Sequence, residues 1–340
     1  MVKSKKKFNL VRLVGVLIII YTIPFFFPNA YIAQIANLIG IYMLMAMSLN
    51  LLTGFTGQLS LGHAAFFGVG AYTSAIVSKS FGLPFLICLL IAVTVTTITG
   101  LLLAIPALKV RGTYLVLVTI AYGEIVRLLM INWVSLTNGP NGIYSISPVS
   151  IFGYKFNDLT KSYYLVITVA FLIYLYIKLL MESRAGRAFL SIRDDASAAE
   201  LCGVDITMYK IKAFAISAAI SGVAGSLYAH MYRYISPSSF SATQSQLFLC
   251  MILIGGMGTL PGPVIGAVVL TILPEMLRFM QNGRMLVYGI LILLVVIRSP
   301  GGIAKYLSVL IGKIKKYDGD HRKRQHSVQG TGPRKDNGKC

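Results

Sequence analysis

Long apolar runs separated by short polar breaks dominate this chain. A helix needs about 20 mostly apolar residues to cross the hydrocarbon core of a bilayer. Runs of that kind lie at 10–27, 31–53, 62–79, 84–106, 113–132, 162–181, 210–231, 244–258, 262–279 and 284–299. The pattern predicts an all-α fold, a polytopic α-helical membrane protein with about 8–10 transmembrane helices. The runs 62–79 and 244–258 are rich in Gly, Ser or Thr, so broken or re-entrant helices fit them as well as full spans do. The run 10–27 ends in Pro28-Asn29 rather than in a small-residue cleavage site, which reads as a retained first helix.

Charge fixes the expected orientation. Lys and Arg collect on the cytoplasmic side of membrane proteins. With a basic N-terminus (1–9) in the cytoplasm, Lys109, Arg111, Arg184, Arg187, Arg193, Lys210, Lys212 and a basic tail (304–340) all fall inside. The outer loops keep Lys79, Lys155, Lys161 and Arg233, with Arg278 and Arg284 at helix ends. Both termini inside requires an even number of spans, and the permease domain is expected over 10–303. A tail this basic can bind nucleic acid or lie against anionic lipid. In so apolar a chain the membrane surface is the expected partner, not nucleic acid.

Two loops exceed what a connector needs. The outer one, from about 133 to 162, carries the turn-forming run Asn138-Gly139-Pro140-Asn141-Gly142. The inner one, 182–209, holds Glu182, Asp194, Asp195, Glu200 and Asp205 of the chain's 11 acidic residues. Ser197 and Glu200 have capping-box spacing, and Gly203 is suited to stop a helix in the left-handed conformation. A short extramembrane helix is predicted there, with Ala198, Ala199 and Leu201 free for a shallow apolar contact. It is either a solvated connector or a docking element for a soluble partner.

Composition then narrows the function. Hydrophobic residues make up 56% and charged residues 12% of the chain, against about 25% charged in soluble domains. Much of its surface must therefore meet lipid. Cys88, Cys202, Cys250 and Cys340 show no metal or disulfide spacing. No phosphate loop, hydrolase elbow, zinc-protease motif or intramembrane Asp pair is present. The sequence offers no reaction chemistry, no cofactor and no metal site, so it does not read as an enzyme.

Two constellations remain. Gly54 to Gly70 holds five glycines with Gln58, Ser60 and His63. Small residues there serve close helix packing, or they break a helix so that Gly57, Gln58, Ser60 and His63 line a solute path with free backbone groups. Gly255, Gly256 and Gly258 begin a second interruption in the other half. Glu124 and Arg127, three residues apart, share one helix face. They form either a structural ion pair or a gating or subunit-contact pair. His63 and His230 lack carboxylate partners in sequence.

The stretch Glu182-Ser183, Gly186-Arg187-Ala188, Ile192-Arg193-Asp194, Ala198-Ala199-Glu200, Gly203 and Tyr209 to Ala229 resembles LivM-type branched-chain amino-acid permeases of ABC importers. Further matches are Ser48 to Ala64, Val110-Arg111-Gly112, Gly123-Glu124-Ile125-Val126-Arg127, Thr137-Asn138-Gly139 and Gly255 to Pro263, which together cover most of 40–303. The resemblance implies a permease subunit in the inner membrane, driven by ATP hydrolysis in other subunits. Its partners would be a second homologous permease, two cytoplasmic ATP-binding subunits and a periplasmic or surface solute-binding protein. It also implies a coupling helix near Ala198 to Gly203, with Arg187, Arg193, Asp194, Glu200 and Gly203 in the contact with the ATPase. Here Glu200 follows the alanine pair, whereas the general permease pattern places it before. Urea or short amides are the alternative solutes within the family. A stand-alone secondary transporter is the rival class, and it would need coupling carboxylates such as Glu124 or Glu275.

Overall fold

The computed structural model describes residues 21–22, 29–110, 112–151, 154–156, 158–277, 287, 289–290, 293 and 302–304. The predicted spans 10–27 and 284–299 lie almost wholly outside the described residues, as do Arg111, Arg278, Arg284 and the basic tail.

Ten α-helices of six residues or more order the described chain. Helix α1 (Ala30–Leu49) starts at Asn29, whose side chain accepts the Tyr31 amide at 3.0 Å, and it continues without a gap as a π-helix, Asn50–Phe55. After a break come α2 (His63–Phe81), α3 (Phe85–Lys109), α4 (Thr113–Asn132), α5 (Leu159–Glu182), α6 (Arg184–Asp194) and α7 (Ala196–Leu201). Then follow α8 (Ile206–Tyr232), α9 (Ala242–Gly255) and α10 (Gly262–Met276). Five are long and apolar enough to cross a membrane: α1 with its π extension, α3, α4, α5 and α8. Helix α2 is 19 residues long but mixed in polarity and largely buried. Helices α9 and α10, at 14 and 15 residues, are each about 21–23 Å long at 1.5 Å per residue. That is short of a full crossing, so the predicted spans at 244–258 and 262–279 are a pair of short helices packed on each other and on α1.

Small residues set the core. Lipid offers no hydrophobic drive between helices, so close backbone approach and polar contacts hold them together. A Cβ placed on Gly70 of α2 would lie 2.7 Å from the Cα of Gly222 in α8. One on Gly100 of α3 would lie 2.5 Å from the Ala218 Cβ, and one on Gly222 would lie 2.9 Å from the Thr96 Oγ1. These glycines let α2, α3 and α8 meet as a tight trio. Ser74 of α2 hydrogen-bonds Ser226 (2.8 Å) and His230 (2.9 Å) of α8, and His230 reaches the Ser147 carbonyl at 2.7 Å. The outer face of α3 exposes Leu90, Ile98, Leu102 and Ile105, a surface suited to lipid.

The bundle has two distinct ends. At one, strand β1 (Ile143–Tyr144) pairs antiparallel with a second strand, Tyr234–Ile235, and Lys79 donates to the Tyr144 carbonyl at 3.4 Å. The predicted turn at Asn138 to Gly142 is there, with Asn138, Gly139 and Gly142 all at positive φ. At the other end lie α6, α7 and both helix breaks. The start of the 182–209 loop and the two breaks thus meet at one end, and segments 143–147 and 230–235 meet at the other.

Candidate functional site

The polar segment 182–209 forms two helices where one was expected. Ser183 caps α6 by accepting the Ala185 amide at 3.2 Å. Asp195 caps α7, accepting the amides of Ser197 (2.9 Å) and Ala198 (3.1 Å). The expected capping box at Ser197 and Glu200 is therefore not the start of the helix. The helix begins two residues earlier, because a carboxylate caps it through two amides at once and adds favourable charge at the positive end of the helix. Gly203 does end α7 as expected. It sits at φ +81°, its amide reaches the Glu200 carbonyl at 2.9 Å, and the Val204 amide reaches Ala199 at 3.0 Å. Those two bonds are the paired closure of a Schellman motif.

The pair has an anchored face and a free one. Ala188, Phe189 and Ile192 of α6 are buried, and the Phe189 ring meets Tyr209 edge-on at 6.0 Å. Ala199 turns inward from α7. Arg187, Asp194, Glu200 and Gly203 are exposed, and Leu201 at the tip of α7 is 91% exposed.

Arg193 differs from the other four predicted contact residues. Its Nη1 donates to the Gly54 carbonyl at 3.0 Å, while Nε and Nη2 reach Asp194 at 3.3 and 3.2 Å. A Cβ on Gly57 would lie 3.1 Å from the Arg193 Cγ, and one on Gly258 would lie 2.7 Å from Nη1. Gly57 and Gly258 both have φ of +72°, a conformation that glycine adopts without penalty. Asn50, in the π-helix, ties the two breaks directly. Its Nδ2 donates to the Thr259 carbonyl at 2.9 Å, and its Oδ1 accepts the Gly258 amide at 2.9 Å. Gly255 and Gly256 enclose the same turn, packed against Gly262. The structure thus gathers Arg193, Gly57 and Gly258, predicted for two different roles, at one junction.

The remaining predicted residues of the first break lie deeper. Gly62 packs against the Thr119 carbonyl, and the Thr119 Oγ1 accepts the Leu61 amide at 3.0 Å. Thr119 is six residues past the start of α4, so this turn sits about 9 Å in along that helix. His63 is fully buried, with Nδ1 3.2 Å from the Ser60 Oγ and Nε2 2.7 Å from the Ser217 Oγ. Ser217 donates to the Ser48 carbonyl at 2.9 Å, and Ser48 also contacts Ser221 at 2.8 Å. A polar seam therefore joins α1, α2 and α8. Gln58 is buried too, and its Nε2 finds no partner among the described residues. An orphaned buried donor costs about 1–3 kcal/mol.

Glu124 follows Gly123, which faces the Gly62 turn, and lies near the middle of the 20-residue α4. Arg127 Nε donates to both carboxylate oxygens, at 3.1 and 3.0 Å, and Nη2 adds a further bond. The Glu124 and Arg127 side chains are 43% and 29% exposed. Only 17% of the most apolar 18-residue stretch of α4 is buried. Among the described residues these are the only charges near the centre of a spanning helix. No cluster among the described residues has the makings of a metal site.

Sequence reasoning missed Asn50, Ser48, Ser217 and Thr119 as members of the site. Asn50 and Ser48 stand in the quoted motif, but their partners lie about 170–210 residues away. No local spacing reveals such contacts.

The model of the family described as branched-chain amino acid transport system / permease component matches residues 31–296. The LivM permease of the high-affinity branched-chain amino acid transport system from Salmonella typhimurium is 34% identical over 314 residues. That alignment covers 86% of this chain and 74% of the relative. The probable LivM of Methanocaldococcus jannaschii is 22% identical, covering 84% and 96%. The LivH permease of Escherichia coli K12 is 25% identical, covering 68% and 80%. No solved structure matches this chain. A bundle of apolar helices with a capped polar handle and two glycine-lined breaks, matched by the family model across most of its length, makes this chain a member of the branched-chain amino acid transport permease family.

Proposed function

We propose that this chain is the membrane-spanning permease subunit of an ABC importer for leucine, isoleucine and valine. The α6–α7 end faces the cytoplasm, and both termini lie there. A second, homologous permease chain completes the path, two ATP-binding subunits drive it, and a binding protein delivers solute at the β1 end. The existence of two related permeases under the names LivM and LivH supports the paired arrangement.

The observation that carries this reading is the built handle. Helices α6 and α7 are capped at three ends, seated by buried Phe189, and present Leu201, Glu200 and Gly203 outward. A connector needs about 2–8 residues, not two capped helices. A motor protein gripping this projection moves α5 and α8, which flank it in sequence. The solute's path follows from polarity. A zwitterion at membrane depth needs polar partners, and helix breaks supply free backbone groups without adding charge. Gln58, Ser60, the Gly62 turn and the exposed face of α4 at Glu124 provide polar groups close together at such a depth.

Purification of this chain in detergent tests the proposal, followed by reconstitution with its binding protein and labelled solute. Co-purification of phosphate-loop ATPase subunits and ATP-dependent uptake of labelled leucine are expected. Uptake without nucleotide would overturn the ABC assignment. Uptake of urea in preference to leucine would overturn the solute.

A further inference from the structure

Arg193 stays 37% exposed and bonds Asp194 at the surface, yet one arm of its guanidinium reaches inward. Its guanidinium lies between two helix ends. One is the end of the π-helix that extends α1, through the Gly54 carbonyl at 3.0 Å. The other is the α9–α10 turn, where a Cβ on Gly258 would lie 2.7 Å from Nη1 and 2.9 Å from the Gly54 carbonyl oxygen that Nη1 bonds. Asn50 bridges the same two ends with two hydrogen bonds of 2.9 Å. The last carbonyls of a helix have no partner within it, and a basic side chain satisfies them favourably. That accounts for one hydrogen bond. It does not account for the glycines on both sides of the arginine, or for a π-helical stretch where the contact is made. π-Helical turns sit in helices at a cost and gather at functional positions.

We propose that Arg193 is a positioning residue that transmits movement of α6 to the helix breaks. This inference rests on the permease reading above. Its guanidinium, with Asn50, holds the π-helical end of α1 and the α9–α10 turn to α6, the helix that carries α7, as one joint. A displacement of α6 by the motor then moves both helix ends together. One of those ends leads, within a few residues, to Gln58, Ser60 and His63. Of the other predicted contact residues, Arg187, Glu200 and Gly203 lie on the gripping side of this joint, and Asp194 bonds the Arg193 guanidinium. Arg193 lies on the transmitting side.

The two sides separate experimentally. Complete importer complexes are prepared with Arg193→Ala, Arg193→Lys, Asn50→Ala and the Arg193→Ala/Asn50→Ala pair. ATPase co-purification, ATP hydrolysis and solute uptake are measured on each. Co-purification and hydrolysis are expected to stay at the wild-type level in every variant. Uptake per ATP is expected to fall about tenfold in Arg193→Ala, within the range of couplings between sites. Arg193→Lys keeps the charge but not the planar fork and is expected to fall between. The double variant is expected to be no worse than the worse single one, because both changes open the same joint. Should Arg193→Ala fail to fold or insert in the membrane, Arg193→Lys and Asn50→Ala carry the same test. Unchanged uptake per ATP overturns the proposal, and so does loss of ATPase co-purification, which would make Arg193 a docking contact. A wild-type complex without ATP-driven uptake overturns the permease reading and this proposal with it, whereas the first two results overturn this proposal alone.

Discussion

A single methyl group distinguishes the two kinds of glycine in this chain. At Gly70 the Cβ of an alanine would press, at 2.7 Å, on the backbone of Gly222, and backbone does not swing aside. Overpacking of that sort costs about 1–3 kcal/mol, more than the roughly 1 kcal/mol of helix propensity that alanine returns. At Gly123 the nearest heavy atom to the added Cβ would be the Gly62 Cα at 3.7 Å, an ordinary contact. Gly70→Ala is therefore expected to lower the melting temperature of the detergent-solubilised protein, and Gly123→Ala to leave it unchanged or raise it. Equal melting of the two variants would contradict the tight packing of α2 on α8. The sequence posed close packing and a broken helix as alternatives for Gly54 to Gly70. The structure divides them: Gly68 and Gly70 pack inside α2, while Gly54, Gly57 and Gly62 flank the break. Glycine content alone does not separate these roles, because both need the same missing Cβ. His63 was legible as an intramembrane polar residue, yet its partner Ser217 is 154 positions away. Removing its fully buried ring by His63→Ala would cut the link between Ser60 and Ser217 at a cost of about 1–3 kcal/mol, again expected as a lower melting temperature.

Among elements, the polar pair α6–α7 was the most legible and the least accurately drawn. Length, acidity and Gly203 announced a structured projection, and its existence and its left-handed stop both follow from local chemistry. Its subdivision does not, because Asp194, Asp195, Ser197 and Glu200 offer several cap choices within a few residues. Packing of Phe189 and Ala199 settles which one closes. Helix phase also decides that Ala199 faces inward and Leu201 outward, which a count of apolar residues leaves open. Two variants test the element. Asp195→Ala removes the side chain that caps two amides of α7 and is expected to cost about 1 kcal/mol of local stability, read as faster amide exchange over 196–201. Leu201→Asp leaves the caps intact and places a charge on the exposed tip. It is expected to reduce ATPase co-purification severalfold with no change in melting temperature. Retention of the ATPase by Leu201→Asp would show that the grip lies elsewhere.

At the scale of the whole molecule, uneven cover is the feature that sequence could not supply. Hydropathy treats α1 and α4 alike, yet the most apolar 18-residue stretch of α1 with its π extension is 72% buried and that of α4 only 17%. Much of what α4 meets must come from outside the described residues, and Glu124 with Arg127 restricts what that can be. A charge at the bilayer centre costs at least about 2.5 kcal/mol against lipid, so this face of α4 fits a second permease chain or a watery path better than hydrocarbon. Replacing one member of the pair leaves the other alone, and either Glu124→Leu or Arg127→Leu is expected to lower the yield of inserted protein. Replacing both with leucine removes the penalty, since apolar substitutes for an ion pair are often neutral for stability. The double variant is therefore expected to insert and melt like the wild type. Uptake by the assembled importer then decides the role of the pair. Loss of uptake with normal insertion places it on the transport path or at the seam between the two permeases. Wild-type uptake would reduce it to a structural ion pair that happens to be half exposed, and would leave the polar turn at Gln58 to His63 to carry the solute alone.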